Sequence, residues 1–253
     1  MDYGFKGKVA LVTGTGSQIG IGKGAALALA KEGCDVISVD LDFEGATQTA
    51  NEVKALGRKA MAAKVDVANR PEVVEAVKSA LQEFGKIDIL VNSAGLAAGG
   101  GPFVNQEEKY WQKDMAVNVF GTMNCVQAVI PGMFERKYGK IVNFSSISGR
   151  LGLPVSYAAA KGAIIAATRG WATELGPSGI NVNAIAPGTV LTKFHRGGQG
   201  PTPEMLERMI ASVPLRRVQT VEDVANTVAF LASDASCNIT GQCIQVDSGR
   251  VMP

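Results

Sequence analysis

Two side chains able to handle a proton stand four residues apart in Tyr157-Ala158-Ala159-Ala160-Lys161. In a run of good helix formers, positions i and i+4 share one face, so both polar ends meet the same ligand. An unperturbed phenol ionises near pH ~10 and is a poor base at neutral pH unless a positive charge lies beside it. Lys161 is placed to supply that charge and to lower the pKa of Tyr157. The pair thus reads as an acid/base centre with the phenol as proton carrier. An isolated Tyr-x-x-x-Lys is more often plain helix surface, so the reading needs support elsewhere in the chain.

A second constellation lies near the start. Val9-Ala10-Leu11-Val12 is a short apolar run that stops at Thr13-Gly14 and is followed by Thr15, Gly16, Ser17, Gln18, Ile19, Gly20, Ile21 and Gly22. Strand, glycine-rich turn and helix in that order let the backbone approach a pyrophosphate, whose charge is held by amides at the helix N-terminus. The next apolar run ends in Asp40, about 18 residues beyond Gly22, where an acid hydrogen-bonds the hydroxyls of an adenosine ribose. A 2′-phosphate there would meet a carboxylate, at a cost of about 1 to 4 kcal/mol for unit charges ~4 Å apart. Val39 and Leu41 flank Asp40, so no adjacent cation offsets that repulsion. NAD is expected over NADP.

These residues need a scaffold, and the chain alternates short apolar runs with helical ones. Strands are expected over 9–12, 36–39, 60–65, 87–91, 140–144, 180–185 and 243–246. Helices are expected over about 20–32, 44–56, 71–84, 106–136, 157–175, 203–211 and 221–232. Pro131 should kink or break the long fourth helix. Continuous apolar strands separated by helices imply a doubly wound parallel sheet covered on both faces, in one domain over 1–253. The stretch 193–203, with Gly197-Gly198-Gln199-Gly200-Pro201, breaks the rhythm after a strand's carboxyl end, and a substrate lid over about 193–213 is expected there.

With 46% hydrophobic and 19% charged residues and a net charge of +2, the composition is that of a globular chain with ample core material. No basic cluster interleaved with aromatics tracks a nucleic acid; Arg216-Arg217 is the densest basic pair. No apolar run reaches the ~18 to 20 residues of a membrane helix, and Met1-Asp2-Tyr3-Gly4-Phe5-Lys6 lacks the apolar core of a secretory signal, so a cytoplasmic protein with neither nucleic-acid nor membrane partner is expected. Cys34, Cys125, Cys237 and Cys243 show no metal-binding spacing and are expected as buried thiols. No metal is expected.

The glycine loop, Asp40 and the Tyr157/Lys161 pair, taken in order, make the chain closely similar to the short-chain dehydrogenase/reductase family over nearly its whole length. The resemblance implies a Rossmann-type domain of about seven parallel strands, commonly a homotetramer. Carried over by position, Tyr157 resembles the catalytic acid/base and Lys161 the residue that binds the nicotinamide ribose and lowers the phenol's pKa. Ser146 resembles the serine that orients the reacting oxygen, and Asn118 the asparagine that supports a water-mediated proton relay to the lysine. Asp66 and Val67 match the adenine-contacting segment, and Asn92, Ala94 and Gly95 the segment after the fourth strand that lies against the cofactor. Pro187, Gly188, Val190 and Thr192 match the loop that fixes the nicotinamide carboxamide.

The departures from the family pattern are local. Read from the first strand the glycine loop is two residues long, so Gly14 and Gly16 both remain candidates for the first-glycine role. Ser93 stands where a second Asn is usual. Ser146 precedes Tyr157 by about two residues fewer than is common, which shortens a loop near the substrate. Candidate substrate contacts are Leu96, Ser148, Leu153 and Val155, with Met205, Leu206 and Met209 on the lid side. Arg150 and the lone His195 read as solvated. The implied reaction is hydride transfer between NAD and a small or cyclic secondary alcohol. A 3-oxoacyl thioester reductase is the alternative enzyme, against which Asp40 speaks, and a non-catalytic NAD-binding sensor is the alternative of another class.

Overall fold

The computed structural model describes residues 3–192 and 202–252. The first half alternates as the hydrophobic pattern requires: β1 (Val9–Thr13), α1 (Ile21–Lys31), β2 (Asp35–Asp40), α2 (Phe43–Ala55), β3 (Ala60–Lys64), α3 (Arg70–Phe84) and β4 (Ile89–Asn92). The second half holds α4 (Glu108–Met115), a π turn (Ala116–Phe120), α5 (Gly121–Arg136), β5 (Gly139–Phe144), α6 (Ser148–Leu151), α7 (Val155–Leu175) and β6 (Ile180–Pro187). It closes with α8 (Pro203–Ala211), α9 (Val221–Ala232) and β7 (Cys243–Val246).

The seven strands form one sheet in the order β3-β2-β1-β4-β5-β6-β7, every pair parallel. The chain walks outward from β1 to β3, then returns to place β4 on the other side of β1. That reversal opens a crevice at the carboxyl ends of β1 and β4, where open α/β sheets take their ligands. Along β1 the side chains alternate between two cores, as the strand period demands. Ala10 and Val12 pack with Leu29 of α1, Val53 of α2 and Val228 of α9, whereas Val9 and Leu11 pack with Val77 of α3, Met133 of α5 and Leu175 of α7. All five β1 residues are buried, which is why its sequence is continuous rather than alternating.

Local signals fix the helix ends. The Asp42 carboxylate accepts from Gly45 N at 3.1 Å to cap α2, and Thr220 and Asp223 form a reciprocal capping box on α9. Gly85 ends α3 in the left-handed region, at φ +77°. The strand expected from residue 87 begins at Ile89, because the buried Asp88 turns its carboxylate to Val9 N at the amino end of β1.

Two expectations are corrected. The long fourth helix does not break at Pro131, which lies inside α5. Pro131 and Gln127, whose carbonyl loses its donor there, are both exposed, so water can serve that carbonyl. The irregularity is the π turn upstream, where the Asn118 side-chain amide donates to the Asp114 carbonyl at 2.8 Å and the Thr122 hydroxyl to the Asn118 carbonyl at 2.9 Å. The cysteines also divide: Cys34 and Cys125 are buried, but Cys243 on the edge strand is half-buried and Cys237 is exposed. Among the described residues no helix is long and apolar enough to cross a membrane. Of the expected lid, α8 is described, and residues 193–201, His195 included, lie outside the described residues.

Candidate active site

A cavity of about 1240 Å³ opens at the crevice between β1 and β4 and runs from the glycine loop to the start of α7. Gly14 makes the turn out of β1 with φ +76°, and a Cβ there would come 2.7 Å from Ala94 N. A Cβ on Gly22 would sit 2.1 Å from the Gly14 carbonyl, so α1 can start this close to the strand only with glycine at both positions. Of the two candidates it is Gly14 that makes the tight turn out of β1. Gly16 instead folds across to β2, where its N–H donates to Asp40 Oδ2 at 2.7 Å. The two extra residues are taken up there: Gln18 donates to the carbonyls of Gly16 and Gly45, and Lys23 bonds both Gln18 and Glu52.

The other end of the cavity holds the proton chemistry. Tyr157 and Lys161 lie on one face of α7, with Lys161 Nζ 5.6 Å from the Tyr157 ring centroid. The ammonium donates to the Phe144 carbonyl at 2.9 Å. Of Ser145, Ser146 and Ser148 at the end of β5, Ser146 is the one whose side chain hydrogen-bonds Tyr157. Its Oγ also accepts from Ser148 N at 3.1 Å, whereas Ser145 Oγ donates to the Lys161 carbonyl. Asn118 faces this group from behind: its amide donates to the Leu96 carbonyl at 2.8 Å and its oxygen accepts from Leu96 N at 3.3 Å. A Cβ on Gly95 would come 2.7 Å from Asn118 Oδ1 and 3.3 Å from Lys161 Nζ, which explains the glycine between them.

Burial sets the charge states here, and it acts against one expectation. Desolvation pushes the Tyr157 phenol up to about 12, only partly opposed by the hydrogen bond with Ser146 and reinforced by the charge of Asp114. Desolvation lowers Lys161 to about 8, opposed by the same Asp114. The expected lowering of Tyr157 by Lys161 is therefore not found in the protein alone: the cost of taking the phenolate out of water sets the direction, and the opposing influence on the phenol is the hydrogen bond with Ser146.

The family model described as enoyl-(acyl carrier protein) reductase matches residues 14–250. A 3-oxoacyl-[acyl-carrier-protein] reductase FabG of Thermotoga maritima is 38% identical over 250 residues, 98% of this chain and 99% of that protein. The 2-(S)-hydroxypropyl-CoM dehydrogenase 3 of Xanthobacter autotrophicus is 39% identical over 255 residues, 98% of each chain. The crystal structure of an NAD+-bound xylitol dehydrogenase superposes with a TM-score of 0.89 at 34% identity, covering 97% of this chain and 100% of that one. The chain belongs to the short-chain dehydrogenase/reductase family. It is an oxidoreductase that acts on CH–OH groups.

In this dehydrogenase/reductase most of the residues singled out from sequence line one cavity. Gly14, Gly16, Ser17, Gln18, Gly20 and Gly22 form one wall, with Asp40, Leu41, Asp66 and Val67 beside them. Ala94, Gly95, Ser146, Tyr157 and Lys161 follow, then Pro187, Gly188, Val190 and Thr192. Three of the expected residues are not in the lining. Ile19 points outward, half exposed at 50%; Asn92 is buried in a bond to Asn143; and Asn118 sits behind the Leu96 segment. Leu96, Ser148 and Leu153 line the cavity as expected, but Val155, Met205, Leu206 and Met209 do not; Arg150 is exposed and outside the lining, as its reading as a solvated charge required.

A dinucleotide fits this wall on the structure's own terms. The hydroxyl of Ser17 is buried and without a partner in the cavity lining, and α1 has Gly20 as its N-cap, with no side chain to occupy its first amides. Residues missed in the sequence extend both ends: Asp42, Glu44 and Gln48 beside Asp40, and Lys113, Leu151 and Arg250 at the substrate end. The acids followed Asp40 directly in the chain, and their clustering at a turn between strand and helix was an available signal. Lys113 and Arg250 carried no local signal, since only the fold brings them to the cavity.

Proposed function

We propose that the protein is an NAD-dependent oxidoreductase that interconverts a secondary alcohol and a ketone, with a small or cyclic alcohol as substrate. The observation that carries this reading is the hydrogen bond between Ser146 and Tyr157, one helical turn from Lys161, in the same cavity as the glycine wall and Asp40. A nicotinamide dinucleotide in this cavity supplies the hydride chemistry. Its pyrophosphate would lie against Gly20, Gly22 and Ser17 and its adenosine ribose against Asp40, with Asp66 and Val67 toward the adenine. Gly95, Pro187, Gly188, Val190 and Thr192 would flank the nicotinamide.

The chain's own residues handle the proton. Tyr157 Oη takes the alcohol's hydroxyl proton during oxidation and returns it to the carbonyl oxygen during reduction. Ser146 Oγ donates a hydrogen bond to the same oxygen as negative charge builds on it. Lys161 binds the ribose and holds positive charge near the phenolate. Asn118 fixes the Leu96 segment that closes the back of the site and supports the relay of protons to Lys161.

The FabG relatives favour a second reading, reduction of a 3-oxoacyl thioester. The acids Asp40, Asp42 and Glu44 around the ribose end support NAD, and so the alcohol dehydrogenase reading over that one. A homotetramer is part of the same proposal, supported by the exposed Phe120, Met123 and Phe134 on and beside α5, and checked by light scattering on the eluted protein. The test of function is NADH absorbance across a panel of secondary alcohols, ketones and one 3-oxoacyl thioester, with NAD and NADP in parallel. Tyr157→Phe is expected to keep NAD affinity and to lose turnover by at least about 100-fold, the lower end of what a positioned acid/base contributes. Wild-type rates from that variant would sink the assignment.

A further inference from the structure

We propose that Asp114, a fully buried carboxylate on α4, is a positioning residue for the Tyr157–Lys161 pair, acting through its hydrogen bond to Ser156 and through its charge. Its two oxygens are shared between two elements. Oδ1 accepts from Ala98 N, in the segment after β4, at 2.7 Å, and Oδ2 accepts from the Ser156 hydroxyl at 2.7 Å. Ser156 is the residue before Tyr157 in the first turn of α7, so the carboxylate ties that turn to the wall that carries Gly95 and Leu96. One turn further along, Asn118 bonds the Asp114 carbonyl and the Leu96 backbone, so the same stretch of helix braces the site at two points.

Both of these hydrogen-bond partners are neutral. A buried carboxylate held by neutral donors is expensive, and a neutral side chain of similar size would satisfy both contacts more cheaply. What a neutral side chain would lack is the charge, and the field of Asp114 falls on Lys161 and Tyr157 alike. It favours the proton on each: it opposes the desolvation that strips Lys161 of its charge, and it works against a free phenolate before substrate arrives. The titratable group beside Lys161 on its own helix is Tyr157, and α4 carries one cation, Lys113, into the same cavity lining. The segment after β4, the π turn and the end of β5 present the neutral Gly95, Asn118, Phe144 carbonyl, Ser145 and Ser146. Arg150 of α6 bonds Cys243 on β7 instead.

The inference rests on the proposed alcohol–ketone chemistry, and one readout is independent of turnover. In Asp114→Asn the amide oxygen can accept from Ala98 and the amide nitrogen can donate to Ser156, so shape is kept and charge is lost. Carbon NMR of the lysine ε-methylene, assigned with Lys161→Arg, follows the Lys161 titration directly. In Asp114→Asn that titration is expected to move down by about half a unit or more, and the break in the pH profile of kcat/KM with it. Ser156→Ala keeps the charge and loses the tie: the Lys161 titration should stay in place while kcat for the alcohol falls roughly tenfold or more. A folded Asp114→Asn protein that titrates Lys161 as wild type does, or a Ser156→Ala enzyme with wild-type kcat, overturns the proposal. If Asp114→Asn does not fold, Ser156→Ala decides. If the wild type turns over no alcohol, the functional reading fails while the Lys161 titration still tests Asp114.

Discussion

At the scale of single residues, the site's pH behaviour follows from two opposite displacements. With Tyr157 near 12 and Lys161 near 8, alcohol oxidation uses the phenolate together with the charged lysine. Below pH about 8 the lysine stays charged and the phenolate fraction grows tenfold per unit, so log kcat/KM for oxidation should rise with a slope of about one. Between about 8 and 12 the phenolate gain is matched by loss of the ammonium, and the profile should level. Ketone reduction uses the phenol and the ammonium, so it should be flat below about 8 and fall with a slope of about one above it. Initial rates in both directions across the neutral and alkaline range check this, and a reduction rate that stays flat well above pH 8 would contradict it. The i, i+4 spacing made the pair legible because both side chains ride one helix. The sign of the phenol's displacement was not legible, because it depends on how much water the folded site removes.

At the scale of elements, the short approach from Ser146 to Tyr157 is made possible by a glycine. A Cβ on Gly149 of α6 would come 2.8 Å from Lys161 C and 2.9 Å from Gly162 N, backbone atoms of α7 that have no rotamer to escape into. Gly149→Ala should therefore push α6 off α7, cost about 1 to 3 kcal/mol, and lower turnover through the displaced Ser146. Gly170 makes the contrast within the same helix: nothing lies within 4 Å of a Cβ there, and its backbone is helical and exposed. Gly170→Ala should stabilise by about 0.5 to 1 kcal/mol with kcat unchanged. Thermal melts of the two variants, with kcat beside them, separate close packing from propensity. The approximate bounds read for α8 and α9 from their apolar periodicity agree with the helices found, whose starts are capped by Thr202 and Thr220. The π turn was not legible, because its cause is the set of bonds Asn118 makes to Asp114 and Leu96, partners that only the tertiary fold supplies.

At the scale of the whole molecule, charge is segregated along the cavity. Asp40, Asp42, Glu44 and Asp66 line one end, and Lys113, Lys161 and Arg250 the other. From sequence alone Asp40 could be placed by its distance from Gly22; Asp42 and Glu44 stood close behind it in the chain, and the start of α2 against the glycine loop brings them into the same lining. That start is close: a Cβ on Gly45 would meet the Gly16 carbonyl at 2.1 Å. The wall around Asp40 is thus both acidic and closed by backbone, and a ribose placed there as proposed would be favoured with a free hydroxyl and opposed with a phosphate on it. One like-charge contact near a surface costs up to about 4 kcal/mol, enough on its own to weaken NADP by a factor of 10 to 100 even after substantial screening. A cofactor that binds the folded state at a hundred times its Kd stabilises by about 2.7 kcal/mol, and for a chain of this size each kcal/mol moves the melting temperature by about 2 to 4 °C. NAD at such a concentration should raise Tm by about 5 to 11 °C, and NADP at the same concentration by about half of that or less. Asp40→Asn should narrow the gap by weakening NAD and relieving NADP together. An equal or larger shift with NADP in the wild type would mean that the acidic wall does not select the cofactor, and would return the 3-oxoacyl thioester reading to first place.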